Sequence, residues 1–268
     1  MNSENLQNPP VVLCFSGHDP TGGAGISADI EAITSQGCHA STVVTSLTVQ
    51  DTVDVISLIP IDDDIVIQTA RAVLEDIPVA AFKIGLLGSV EVIEAVHSIL
   101  YDYPDVPVVM DPVLASGAGT SLADGDVIDA MTSMLLPQVD MLTPNTLEAA
   151  ALVPEADTHN AMAIGLLDRG CEHVLLTGTH DDNHQVINRL YYNQREIDSF
   201  EWPRLEHEYH GSGCTLAATL AALLALGLDP LSAAREAQQY TWHSLRQAHR
   251  LGMGQHLPNR MFWVEDDE

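Results

Sequence analysis

Residues able to do chemistry gather in four short segments. The first, Gly17-His18-Asp19-Pro20-Thr21-Gly22-Gly23-Ala24-Gly25, joins an apolar run to a helical pattern whose Ile26, Ile30 and Ile33 share one face. It matches neither G-x-x-x-x-G-K-[ST] nor G-x-G-x-x-G, so the two common nucleotide fingerprints fail. Its glycines either let backbone approach a ligand closely or serve only a tight turn and close helix packing. Asp29, one turn into that helix, is either a surface residue or a hydrogen-bond partner for a ligand amine. The second segment is Val108-Val109-Met110-Asp111-Pro112-Val113, where a carboxylate at the end of an apolar strand either caps the next segment or sits near a metal. In the third, Thr143-Pro144-Asn145-Thr146-Leu147-Glu148, Asn145 and Glu148 either form a capping box or join Asp111 in holding hydrated magnesium, an ion that prefers oxygen ligands.

The fourth segment is His210-Gly211-Ser212-Gly213-Cys214-Thr215, ahead of a helical pattern with Leu216, Leu220, Leu223 and Leu224 on one face. Small residues at a helix mouth expose unpaired N–H groups beside the positive end of the helix dipole, which makes an anion site. Such donors stabilise charge on a group in transfer. Cys214 lies in this field, and the expectation is a thiol pKa below the usual value of about 8.5, fit to take a proton from a substrate hydroxyl. The alternative is an inert packed cysteine. A thiol hydrolase is disfavoured, because no oriented base accompanies Cys214.

Elements must place these segments together. Strand-like runs at 11–16, 40–48, 79–84, 107–111, 139–142 and 173–177 alternate with helical patterns at 26–37, 62–76, 89–102, 123–136, 144–152, 159–169, 213–227 and 230–250. That alternation predicts an α/β fold with a mostly parallel sheet covered by helices on both faces. Residues 48–61 read as strand, turn and strand, and 186–209 as added antiparallel edge strands. Ligands in such sheets bind beyond the carboxyl ends of the strands, which is where the first three segments fall. The expected organisation is a disordered segment 1–10, one domain over 11–262, and an acidic tail at 263–268.

The chain has 268 residues, 46% hydrophobic and 18% charged, which suits a large folded core rather than disorder. No apolar run approaches the roughly 20 residues that span a bilayer. The polar first ten residues show no secretory pattern, so a cytoplasmic protein with four reduced cysteines is expected. A formal net charge of −28, with Lys83 the single lysine among ten basic residues, disfavours nucleic acid and anionic membrane as partners. Such self-repulsion is tolerated best at high ionic strength.

Together with Leu47-Thr48-Val49-Gln50-Asp51-Thr52 and Phe82-Lys83-Ile84-Gly85, the four segments resemble, in order over about residues 11–255, the bacterial hydroxymethylpyrimidine/phosphomethylpyrimidine kinases of thiamine biosynthesis, members of the ribokinase-like superfamily. The Gly-x-Gly-Cys form is the more specific part, since sugar kinases of that superfamily carry Asp where Cys214 stands. The resemblance implies a ribokinase-like fold, a homodimer, and ATP- and Mg2+-dependent phosphorylation of 4-amino-5-hydroxymethyl-2-methylpyrimidine and then of its monophosphate. It implies that Gly17, Asp29, Gln50, Leu86 and Val113 surround the pyrimidine, with Asp29 and Gln50 bonding its nitrogens. Asp111, Asn145 and Glu148 would organise metal and phosphates, with Thr177 and Gly178 on the nucleotide side. Gly211, Ser212, Gly213 and Cys214 would form the anion hole.

This chain departs from the family pattern in three places. Leu86 stands where Met is usual. The run Leu114-Ala115-Ser116-Gly117 lacks the lysine of the family's Ala-Lys-Ser-Gly, and Thr177 replaces a second lysine before Gly178. Two phosphate-neutralising charges are therefore missing, leaving magnesium, backbone N–H groups and His210 to supply transition-state stabilisation. Two other readings are a pyridoxine or pyridoxal kinase, with the same fold and a similar acceptor, and a catalytically weakened pyrimidine-binding regulatory protein.

Overall fold

A computed structural model of the chain describes residues 8–179, 181 and 184–264. Nine strands form one sheet: β1 (Val11–His18), β2 (His39–Gln50), β3 (Val55–Pro60), β4 (Ala81–Ile84), β5 (Val108–Met110), β6 (Met141–Leu142), β7 (His173–Leu176), β8 (Gln185–Tyr192) and β9 (Arg195–Pro203). Their order is β3-β2-β1-β4-β5-β6-β7-β8-β9. Neighbours from β2 through β7 pair in parallel, while β3, β8 and β9 join antiparallel at the two edges. This is the sheet expected from the alternating pattern and from the two segments without helices.

The apolar runs are continuous because both faces of the sheet are buried. Along β1, Leu13 and Phe15 enter one core cluster and Val12 and Cys14 the other. Helices α2 (Asp63–Asp76), α3 (Val90–Tyr101), α4 (Gly125–Ala130), α5 (Thr146–Leu152) and α6 (His159–Asp168) bury residues in the first cluster. Helices α1 (Gly25–Ser35), α7 (Ser212–Ala225) and α8 (Pro230–Arg246) pack in the second.

Three helical expectations need correction. The pattern at 123–136 does not give one α-helix: α4 stops at Ala130 and passes into a π-helical turn, Met131–Leu135, then a 3-10 turn, Leu136–Gln138. Pro137 keeps the α-helix from resuming, because it has no N–H for the Ser133 carbonyl and its ring crowds that turn. Within that stretch the Met134 carbonyl lies 3.0 Å from His97 Nδ1 and accepts from Gln138 Nε2 at 3.1 Å. Helix α1 ends at Ser35, ahead of Gly37 at φ 82°. Helix α8 ends at Arg246 rather than near 250, since His249 bridges to Leu257 and the chain turns back toward the sheet.

Residues 1–7 of the expected disordered segment and 265–268 of the acidic tail lie outside the described residues. The described remainder is attached: the Pro10 carbonyl accepts from His39 N at 2.9 Å, and the Trp263 ring lies 6.1 Å from that of Tyr240. Among the described residues no helix is long and apolar enough to cross a membrane.

Candidate active site

The loops leaving β1, β4, β5, β6 and β7 meet the mouth of α7 around a cavity of about 780 Å³. Gly17, Gln50, Leu86, Asp111, Val113, Asn145, Glu148, Thr177 and Gly211 through Cys214 all line it. Two residues named from the sequence do not. Asp29 is fully buried, with Oδ1 2.8 Å from Lys83 Nζ, so it sits behind the cavity wall rather than facing a ligand. Gly178 is also set back: its N–H donates to Asn188 Oδ1 at 3.1 Å, and a Cβ there would strike the Ile187 carbonyl.

The glycine loop is shaped by Asp19, whose carboxylate accepts from Thr21 N, Thr21 Oγ1 and Ala24 N, each at 2.8 Å. His210 Nε2 lies 2.9 Å from Asp19 Oδ2 and 3.3 Å from Gln50 Nε2, which ties the entrance of α7 to both β1 and β2 loops. Burial pushes the Asp19 pKa up, yet hydrogen bonds from His210, Gln50 and Thr21 overcome it and hold the carboxyl well below the usual range.

At the mouth of α7, Gly211 adopts φ 82°, and a Cβ there would collide with the Gly23 carbonyl. A side chain would thus force the two loops apart. Thr215 N is the first amide to pair within the helix, with Gly211 O at 3.0 Å. The N–H groups of Ser212, Gly213 and Cys214 precede it and have no intrahelical partner. A Cβ at Gly213 would lie 3.3 Å from Asp111 Oδ2, so the helix mouth and the carboxylate ending β5 are nearly in contact.

Cys214 contradicts the expectation of a low pKa. Burial pushes its thiol up to about 12, and Asp111 and Asp29 add to the rise; Lys83 and the Gly25 N–H pull the other way without prevailing. Desolvation of the thiolate outweighs the helix dipole. Burial also raises Asp111, partly offset by Lys83 and by a hydrogen bond from the Cys214 thiol. Glu148 is pushed up to about 8, by burial first and the Asp111 charge second. Beneath them Lys83 Nζ, fully buried, donates to Ser16 Oγ at 2.9 Å and Asp29 Oδ2 at 3.0 Å. Burial alone would discharge it, but Asp29, Cys214 and Asp111 keep it charged.

The capping reading of the third segment is realised. Asn145 Oδ1 accepts from Leu147 N and Glu148 N at 2.9 Å each, and Glu148 Oε2 accepts from Asn145 N at 2.9 Å. Glu148 nonetheless lines the cavity beside Asp111, so one side chain serves the helix start and the site together. Farther along, Trp202, Gln238 and Asn188 form a wall that sequence reading missed: Gln238 Oε1 accepts from Asn188 Nδ2 at 2.8 Å and Trp202 Nε1 at 3.2 Å. Arg204 is the one arginine or lysine among the described lining residues. These residues are brought together only by the pairing of β8 with β9 and the packing of α8, and no local motif marks them.

Residues 19–259 match a family model described as phosphomethylpyrimidine kinase. The chain belongs to the phosphomethylpyrimidine kinase family. Its relatives include the hydroxymethylpyrimidine/phosphomethylpyrimidine kinase of Escherichia coli K12, 36% identical over 90% of this chain and 93% of that protein. Among solved structures, a phosphomethylpyrimidine kinase from Clostridium difficile is 28% identical, with a TM-score of 0.75 over 87% of this chain and 97% of that one. A Bacillus subtilis pyridoxal kinase solved as an ADP complex gives a TM-score of 0.85 at 24% identity, over 96% of this chain and 100% of that one. The higher score shows the shared ribokinase-like fold; family membership rests on the sequence matches.

The raised Glu148 pKa in this kinase carries a consequence for stability. A carboxyl whose folded pKa of about 8 exceeds its unfolded value of 4.5 stabilises the fold below pH 4.5 and loses that contribution as pH rises through 8. Glu148→Gln keeps the capping box but not the charge. In urea unfolding of ligand-free protein, the variant should gain at least about 1 kcal/mol on wild type between pH 5 and pH 8. A difference that does not vary with pH would contradict the assignment.

Proposed function

We propose that this chain transfers the γ-phosphoryl group of ATP to the hydroxymethyl group of 4-amino-5-hydroxymethyl-2-methylpyrimidine, and then phosphorylates the monophosphate. The observation that carries the reading is the meeting of three unpaired α7 amides with Asp111 and Cys214 in one cavity, within a chain of this family. Gly17, Gln50, Leu86 and Val113 form the acceptor end. Thr177, Asn145 and the Trp202–Gln238 wall form the nucleotide end. A cavity of about 780 Å³ lies in the range of ordinary small-molecule sites.

The acceptor oxygen bonds to the γ-phosphorus as the P–O bond to ADP breaks. The hydroxyl proton passes to the Cys214 sulfur while the thiol proton passes to Asp111, so a neutral thiol relays rather than acting as a standing base. The amides of Ser212, Gly213 and Cys214 hold the phosphoryl oxygens. They cost no reorganisation at the moment of transfer. Asp111 and Glu148 fit a magnesium ion: both are oxygen donors, both are raised by burial, and the charge of Asp111 adds to the rise at Glu148. Magnesium keeps several waters and takes phosphate oxygens, so two carboxylates leave room for both. Bound there, it would neutralise phosphate charge.

Pyridoxal kinase activity is the less favoured reading, since those proteins match at 24% identity and share the fold. Incubation with ATP and magnesium at several salt concentrations, with product analysis, tests the choice. Aminopyrimidine mono- and diphosphate are expected; turnover of pyridoxal with none of the pyrimidine would overturn it. Cys214→Ser should cut kcat by 10²-fold or more, on the scale of losing one donor from such a site, with ATP affinity nearly unchanged. Wild-type turnover in that variant would remove Cys214 from the reaction.

The protein also acts, on this reading, as a homodimer in the cytoplasm. Ile56 and Ile59 on the edge strand β3 are 74% and 51% exposed, and Val49 and Val53 beside them 48% and 53%. An unpaired edge with an apolar face invites a second copy. Ile56→Asp should shift light-scattering mass from dimer to monomer; a monomeric wild type would refute the dimer alone.

A further inference from the structure

Arg260 lies one residue beyond the stretch matched by the family model, and no motif in the sequence marks it. It is nevertheless 2% exposed and among the largest buried side chains. Its backbone is held from α8, where Tyr240 OH donates to Arg260 O at 2.7 Å and Asn259 N donates to Ser244 O at 3.0 Å. The guanidinium then reaches inward. Nε donates to Thr215 Oγ1 at 2.9 Å, one terminal nitrogen donates to Glu31 Oε2 at 3.0 Å and to Gly22 O at 3.5 Å, and the other donates to Gly23 O.

Apart from Glu31 on α1, these partners lie in two segments whose neighbouring residues line the cavity on different sides. Gly22 and Gly23 belong to the glycine loop, whose conformation Asp19 sets. Thr215 closes the first turn of α7, its Oγ1 donating to Gly211 O at 2.7 Å. The two segments touch where the Gly23 carbonyl faces Gly211, at a separation no Cβ could enter. One rigid fork with five donors therefore fixes both sides of that contact at once, which a flexible ammonium could not do.

We propose that Arg260 is a positioning residue for phosphoryl transfer, setting the distance between the acceptor-side glycine loop and the amides that receive the transferred group. This rests on the proposed kinase reading. It acts through Thr215, Gly22 and Gly23 and touches neither substrate. A misplacement of about 1 Å in such a site costs on the order of 10²-fold in rate.

The test compares wild type, Arg260→Gln, Arg260→Lys, Thr215→Val and the Arg260→Gln/Thr215→Val pair, each checked for folding by circular dichroism. Arg260→Gln should lower kcat about 30- to 100-fold with each KM within about threefold, and Arg260→Lys should recover only part. Thr215→Val cuts the link without emptying the guanidinium pocket and should lower kcat about tenfold. The double variant should be no worse than Arg260→Gln, because both changes break one connection. Hydrogen exchange gives a readout independent of acceptor: the hydrogen-bonded amides of Gly22 and Ala24 in the glycine loop and of Thr215 in α7 should lose protection together in Arg260→Gln, with β4 unchanged. Unaltered exchange in those segments, kcat within twofold of wild type, or losses that multiply in the double variant would each overturn the proposal. Absence of pyrimidine turnover by wild type would instead sink the kinase reading, leaving the exchange result to judge Arg260.

Discussion

The constraint that organises this molecule is charge. With a net charge of −28, a carboxylate pair at Asp111 and Glu148 and one arginine along the described cavity wall, the protein has few side-chain cations to set against an anionic ligand. What it offers instead is peptide dipole: three amides at the start of α7, a fourteen-residue helix whose packing against the centre of the sheet fixes where they point. The glycines of that mouth follow from the same demand. A side chain at Gly211 would strike the opposite loop, and a side chain at Gly213 would crowd Asp111.

The one lysine works inside the wall. Lys83 and Asp29 form a fully buried pair that would cost several kcal/mol to desolvate singly, yet each satisfies the other and Ser16 joins them. Its positive charge sits beneath Asp111 and Cys214, and it is what keeps their burial from raising both groups further. Removing either partner would strand a charge under the site.

Much of this was legible in the sequence because strand and helix periods are local. The runs at 11–16 and 173–177 were visible as strands, and the lack of helical period in 186–209 announced the antiparallel edge. The turn chemistry around Pro137 was less legible: an amphipathic pattern continues through 131–136 although the backbone cannot stay α-helical. At the site, sequence spacing placed Asp111, Asn145, Glu148 and the 211–214 loop correctly at strand and helix ends, but it misjudged environment. Asp29 carries no mark that a lysine 54 residues away lies behind it. Cys214 reads as activated by its helix, and only the packing around its half-buried thiol shows desolvation to be the larger effect. His210 with Asp19, 191 residues apart, and Arg260 with the glycine loop, 237 residues apart, exist only after folding.

Because Lys83 is both the sole lysine and wholly enclosed, the native surface presents no ε-amine to solvent among the described residues. Reagents that acylate primary amines would reach residue 83 only once the sheet opens. Acylation at residue 83 is therefore a built-in reporter of global unfolding.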